Sequence, residues 1–279
     1  MTTNRRNGYI EIKPHWGKKH RILGKYISAC LVFQKNYDNF AYVDTHGGSG
    51  QVLLVGNLRD GSPLIAAKEL GTFPCYTTEI NPGSFQRLAE STRSLRNVKA
   101  VQGDCNVIVP EILKEIDSHR FCLCFVDPDG LVYYDGGKKV MQLRAETVDA
   151  IARSTGPRTE LLLNLPIMQI MRVRGFVDSL PDEPKAPAME EDLDVFYGCS
   201  DWRGAGSRRE LLDIFIDRRL SPYGFKGAFL VSDSDNRPLY YLVYGSRNGI
   251  GAKIMKAIML REYNQLLLDD YPMERFYFD

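Results

Sequence analysis

The chain has 279 residues, 44% of them hydrophobic and 25% charged, with a formal net charge of +1. That length and apolar content suit a large α/β chain that builds its core without disulfide or metal staples. The balanced charge excludes a globally basic nucleic-acid binder, and no apolar run reaches the ~18 residues that a membrane span needs.

Basic residues gather at the start. Residues 1–25 hold seven Lys/Arg (Arg5, Arg6, Lys13, Lys18, Lys19, Arg21, Lys25) against Glu11, so the remainder carries about −5. Such an arm either grips phosphates or is a solvated tail and helix face. The first 14 residues lack the apolar core of a signal peptide. Six cysteines show no C-x-x-C pair. Cys122 and Cys124 alternate in "RFCLCFVD" and so share one strand face, where buried, reduced thiols are the expectation. No metal site is expected from the cysteines and four scattered histidines, and the cytoplasm is the expected compartment.

In chain order, "KKHRILGKYISACLVFQKNY" carries apolar residues at helical period, and "FAYVDT" reads as a strand ending in Asp44. "GSPLIAAKEL" is a helix with Ser62 as N-cap and Pro63 at the first position. "FPCYTTEI" is a strand ending in Glu79, "NPGSFQRLAESTRSL" a helix, and "VKAVQGD" a strand ending in Asp104. "VIVPEILKEID" is a helix broken early by Pro110. "RFCLCFVDP" is a nearly all-apolar central strand ending in Asp127. "KVMQLRAETVDAIARS" reads as a helix and "TELLLNLP" as a fifth strand carrying Asn164. Prolines 181, 184 and 187 among acids mark a loop-rich insertion over 168–209, with a short helix near "DLDVFYG". "RRELLDIFIDRRL" is a helix, "FKGAFLVSDSDNRPLYYLVYGS" an antiparallel hairpin, and about 249–268 a last helix. The alternation predicts a mainly parallel sheet of seven strands with helices on both faces, in one domain over 1–279 opened by a basic N-terminal arm and helix over 1–35.

The strand-end polar residues fall where an open parallel sheet binds its ligand, outside the carboxyl ends of the strands. Asp44, Gly48 and Gly50 form D-x-x-x-G-x-G, in which the glycines turn the backbone and let a ligand approach. No helix begins directly after Gly50, so a pyrophosphate seated on a helix N-terminus is disfavoured, and with it a nicotinamide dehydrogenase. A carboxylate before the glycines suits a cationic ligand such as S-adenosylmethionine, with its ammonium and sulfonium. Glu79 suits two ribose hydroxyls, and Asp104 either an adenine amino group or the cap of the next helix.

These features together resemble class I S-adenosylmethionine-dependent methyltransferases. More closely, "KH-x-I-L", "YVDTHGGSG", "GSPLIA", "EINP", "GDCN", "FVDPDGL", "LLLNLPIM", "DWR" and "YYLVYGS" resemble the three-Cys-motif partner protein family, over roughly residues 15–260. "DTHGGSG" is also similar to the "DTHAGAG" loop of bacterial ribosomal RNA adenine methyltransferases. The resemblance implies the class I methyltransferase (Rossmann-like) fold and S-adenosylmethionine as cofactor, with Asp44, His46, Gly48, Gly50, Glu79, Asp104 and Cys105 as its contacts. By family name it also implies a radical-SAM-like partner carrying the three-cysteine motif.

In amino-directed methyltransferases a D/N-P-P-Y/F loop orients the acceptor nitrogen. Here Asp127 and Pro128 match, Asp129 replaces the second proline, and Gly130 replaces the stacking aromatic. Tyr133 stands near enough to substitute, or packs in a turn. Lys19, His20 and Asn164 are further candidate substrate contacts, and His46 either serves the loop or acts as a base. Two functions remain open: a methyltransferase acting on an amine or nucleobase, nucleic acid favoured, and a methyltransferase-fold partner protein with little or no transferase activity.

Overall fold

The computed structural model describes residues 5–6, 9–12, 17–33, 39–116, 120–135, 137–154, 158–233, 235–262 and 275–278. The chain opens with two short strands, β1 (Arg5–Arg6) and β2 (Tyr9–Ile12), then helix α1 (Gly17–Phe33). The stretch 263–268 assigned to the last helix lies outside the described residues.

Strand β3 (Phe40–Asp44) is wholly buried, as a strand covered on both faces must be. The stretch after Gly50, which had no assignment, is a hairpin of β4 (Gln51–Leu54) and β5 (Asn57–Asp60). Its turn residues Val55 and Gly56 both have positive φ, 49° and 75°. This hairpin pairs with β2 to complete a four-stranded side sheet, β1-β2-β4-β5. Helix α2 (Ser62–Leu70) is capped by Gly61 rather than Ser62, so Ser62 sits one position inside the helix.

Strand β6 (Cys75–Glu79), α3 (Pro82–Thr92), β7 (Val98–Gln102), α4 (Cys105–Glu115) and β8 (Phe121–Val126) continue the alternation. Pro110 does not break α4. It removes one backbone donor, and burial of Val109, Ile112 and Leu113 holds the helix to the sheet regardless. The helix expected over 139–154 begins only at Ala145. Before it, β9 (Val132–Asp135) and β10 (Lys138–Met141) form a hairpin, and α5 (Ala145–Arg153) follows. The hairpin register pairs Asp135 with Lys138 and Val132 with Met141.

After β11 (Thr159–Leu165), the stretch expected as a loop-rich insertion is largely helical: α6 (Ile167–Ser179), α7 (Ala186–Tyr197) and a 3-10 turn (Asp201–Gly204). Pro181 and Pro184 fall in the connection and Pro187 in the first turn of α7, positions that tolerate proline. Helix α8 (Arg208–Arg219), the hairpin β12 (Phe225–Ser232) with β13 (Pro238–Ser246), and α9 (Gly249–Glu262) follow. An eighth strand, β14 (Arg275–Phe278), pairs parallel to β12.

The main sheet runs β14-β12-β13-β11-β8-β3-β6-β7. The five strands from β11 to β7 are parallel, and β13 lies antiparallel beside β11. Alternate residues feed two cores. Phe40, Tyr42, Leu123 and Phe125 pack against the α1, α2 and α9 layer. Ala41, Val43, Cys122, Cys124 and Val126 pack against the α4, α5, α7 and α8 layer. Cys122 and Cys124 share that second face, their sulfurs 3.7 Å apart. The chain leaves β3 toward β7 and returns to β8, so strand order reverses between β3 and β8, and the crevice opens there. Among the described residues no helix is long and apolar enough to cross a membrane.

Candidate functional site

A cleft of about 1010 Å³, part of it open to solvent, lies at the carboxyl ends of β3, β6, β7 and β8. Its walls include His46, Gly48, Gly50, Glu79, Asp104, Cys105, Asp127, Asp129, Tyr133, Lys19 and His20 from the sequence reading.

The glycine loop is held by packing as well as by conformation. Gly48 and Gly50 have φ of 58° and 73°, in the left-handed region. A Cβ on Gly47 would fall 2.1 Å from Thr77 Oγ1, so the loop lies directly on β6. Asp44 does not line the cleft. It is fully buried behind the loop, where Oδ1 accepts from the His46 amide at 3.1 Å, Oδ2 accepts from the Tyr42 hydroxyl at 3.0 Å, and Ser62 donates a third bond. Burial pushes its pKa up to about 7 despite those donors. Asp44 therefore braces the loop rather than meeting a ligand directly.

His46 also belongs to the loop. Its Nε2 donates to the Gln142 carbonyl at 3.1 Å, which leaves Nδ1 to accept from the Thr45 hydroxyl at 2.6 Å. Burial lowers its pKa to about 4, and both ring nitrogens are engaged, which removes it as a general base. Cys105 donates its thiol to the same carbonyl at 3.2 Å, and burial raises its pKa far above the ordinary thiol value. It lines the cleft as a neutral group.

Glu79 ends β6, with Oε1 accepting from the Asn81 amide at 2.7 Å. Asp104 lies two residues past β7 and is the N-cap of α4, Oδ1 accepting from the Asn106 amide at 2.9 Å. Asn81 caps α3 and donates to the Tyr133 hydroxyl at 2.7 Å. Tyr133 thus stands on the Glu79 side of the cleft rather than beside Asp127.

At the other end, Lys19 from α1 donates to both Asp127 oxygens, at 2.6 and 2.5 Å, with side chains 4% and 12% exposed. Burial would raise Asp127, but the ammonium outweighs it and holds the carboxyl below the usual range. Asn164 donates to Asp127 Oδ1 at 2.8 Å. Burial and the neighbouring Lys19 lower His20 to about 4, so it is neutral. Of the other early basic residues, Arg21 and Lys25 pair with Glu262 in α9. Part of the basic segment therefore fastens α1 to the fold.

The loop after β8 has no aromatic platform. A Cβ on Gly130 would meet the Gln169 side chain at 2.2 Å, so that amide fills the space. Asp129 is exposed, and its amide donates to Gln142 Oε1 at 2.8 Å. A smaller cavity of about 590 Å³, part of it open to solvent, adjoins the cleft, sharing Lys19 and Asp129 and adding Asn164, Arg172 and Tyr240. Gln142 and Gln169 carried no motif signal, whereas Tyr240 opens the "YYLVYGS" stretch and the N-P step at Asn81 marks a helix start.

No protein-family model matches the chain, and no curated protein matches it. Among solved structures, it is similar to protein LPL1258 from Legionella pneumophila str. Philadelphia 1, at 11% identity and a TM-score of 0.52, covering 86% of this chain and 89% of that one. The N-methyltransferase NodS from Bradyrhizobium japonicum WM9, in complex with S-adenosyl-L-homocysteine, matches at 11% identity and a TM-score of 0.44, covering 85% and 89%. The methyltransferase domain of bacterial CtHen1-C matches at 10% and 0.43, covering 81% and 100%. At these identities the likeness extends to the fold alone. The order β12-β13-β11-β8-β3-β6-β7, with the antiparallel hairpin beside β11, is the strand arrangement of the class I methyltransferase fold.

Proposed function

We propose that the protein binds S-adenosylmethionine in the larger cleft and transfers its methyl group to a nitrogen of an acceptor. One observation carries the reading. The cleft wall holds four carboxylates (Glu79, Asp104, Asp127, Asp129) against one ammonium, Lys19, with both histidines neutral. That excess of negative charge suits a cationic ligand and disfavours a pyrophosphate. The left-handed glycines bring bare backbone to the same cleft. In this reading Glu79 accepts from ribose hydroxyls and Asp104 from an adenine amino group. When bound, the cofactor supplies an electrophilic methyl on a sulfonium, and the chain's part is to hold the acceptor nitrogen in line with it.

Calorimetric titration with S-adenosylmethionine and S-adenosylhomocysteine tests this. Both are expected to bind, and Glu79→Ala to weaken both by about tenfold or more. Absence of heat and of competition with either ligand refutes the reading.

A second reading has its own support. Lys19 already fills the place an acceptor amine would take on Asp127, and Gln169 fills the space at Gly130. Both favour a partner protein, with little or no transferase activity, for a three-Cys-motif radical-SAM-like protein. Co-purification with that protein, together with no turnover on amine, RNA or DNA substrates, would establish it over the first.

A further inference from the structure

Two of the residues lining the smaller cavity carry a buried polar atom without a hydrogen-bond partner among the described residues: Asn164 Oδ1 and the Tyr240 hydroxyl. Their residues are only 8% and 6% exposed. Leaving such atoms unpaired costs free energy, so each asks for a ligand or water.

The chemistry of each atom is fixed by its surroundings. Asn164 Nδ2 faces the Asp127 carboxylate at 2.8 Å and the Pro128 carbonyl at 3.5 Å. Both can only accept, so the amide cannot be flipped, and Oδ1 is an acceptor turned to the other side. Burial, reinforced by Asp127, raises the Tyr240 hydroxyl far above its ordinary pKa, so it keeps its proton and can donate. The two side chains share one sheet face. Asn164 pairs with Leu242 across β11 and β13, and Tyr240 lies two residues along, a diagonal neighbour. Pro128, Pro166, Met168 and Leu239 give the cavity apolar walls. Lys19 stands between the two cavities, 5.9 Å from the Tyr240 ring centroid.

We propose that this cavity is a binding site for a neutral amide edge, a planar group with adjacent N–H and C=O, whose N–H donates to Asn164 Oδ1 and whose C=O accepts from Tyr240. The Lys19 ammonium selects against a cationic amine at the same place and balances the Asp127 charge that would otherwise attract one. A carboxamide and the lactam edge of a nucleobase share this chemistry. The inference rests on the methyl-transfer reading and names the class of molecule it would seat beside the cofactor cleft, one held by its amide edge at Asn164 and Tyr240.

The test is ligand-observed NMR on the full chain, with and without S-adenosylhomocysteine, using benzamide, uracil and benzylamine at millimolar concentration. Uracil or benzamide is expected to bind and benzylamine not to. The stronger of the two binders identifies the source as nucleobase or carboxamide. Tyr240→Phe removes only the unpartnered hydroxyl. It is expected to leave thermal stability unchanged or raised and to weaken the bound probe about tenfold. Asn164→Ala, with folding checked by circular dichroism, is expected to do the same to the probe; if it does not fold, Tyr240→Phe decides. Binding of neither amide probe, equal binding of benzylamine, or an unchanged affinity in Tyr240→Phe would each overturn the proposal and leave the cavity to water. Because probe binding is read apart from the cofactor titration, failure of one is distinguishable from failure of the other.

Discussion

Lys19 and Asp127 show how one residue pair redirects the chemistry of a site. A carboxylate at the end of a central strand reads as an acceptor-orienting group, yet here a buried ammonium engages both its oxygens. Removing one partner of a buried pair leaves an uncompensated charge, at a cost of about 3–5 kcal/mol. Lys19→Ala is therefore expected to lower stability by about that much in urea unfolding, and the double variant Lys19→Ala/Asp127→Asn by clearly less. Equal losses in the two variants would show that Asp127 does not depend on Lys19. Asp44 teaches the complementary lesson: an acid in the expected place acts from behind the loop, through the His46 amide, Tyr42 and Ser62.

At the scale of elements, the β4–β5 hairpin turns on Val55 and Gly56, both with positive φ. That geometry favours Asn-Gly, and a β-branched residue there is strained. Val55 is 71% exposed, so no packing compensates it. Val55→Asn is expected to stabilise the protein by about 1 kcal/mol, seen as a higher midpoint in urea; an unchanged or lower midpoint would show that the hairpin does not limit stability. Between α1, β11, β13 and α9 lies a buried cluster, in which the Glu160 carboxylate accepts from Tyr26, Tyr244 and Ser246. Burial raises its pKa from 4.5 to about 7. A raised folded-state pKa stabilises fully below the unfolded value and is lost as pH climbs through the folded one. Glu160 and Asp44 therefore weaken the fold between about pH 4 and 7, while His20 and His46, lowered to about 4, strengthen it up to about pH 6.5. The wild-type curve is expected to be nearly flat across that window. Glu160→Gln removes one of the opposing contributions, so its stability relative to wild type should grow by about 3 kcal/mol from pH 4.5 to 7. Parallel pH curves for the two proteins would contradict a titrating Glu160.

For the molecule as a whole, the cleft draws its walls from the ends of four parallel strands, from the β4–β5 and β9–β10 hairpins and from α1, so a ligand there bridges segments far apart in sequence. Binding to the folded state alone should stabilise by about 2.7 kcal/mol at a ligand concentration near 100 Kd. That corresponds to a rise of roughly 5–10 °C in Tm. S-adenosylhomocysteine is expected to produce it, and adenosine alone to produce less. A flat melting curve series would count against the cofactor cleft.

The β-α alternation was legible because burial on both faces demands nearly continuous apolar strands, and "FAYVD", "FCLCFV" and "TELLLNL" show them. The placing of Glu79, Asp104 and Asp127 at one crevice followed, since a parallel sheet aligns its strand ends. The sequence by itself therefore determined the architecture, the edge of the sheet that carries the site and the carboxylates of its wall. The hairpins β4–β5 and β9–β10 were less legible: short, half-exposed strands lack an apolar stripe and are set by their partners. Only the tertiary structure decided that Lys19, 108 residues before Asp127, would take its carboxylate, that Asp44 would stand behind the loop, and that Asn164 and Tyr240 would share a cavity. Those outcomes depend on which helix docks over which strand end, and no local periodicity encodes a contact between residues so far apart.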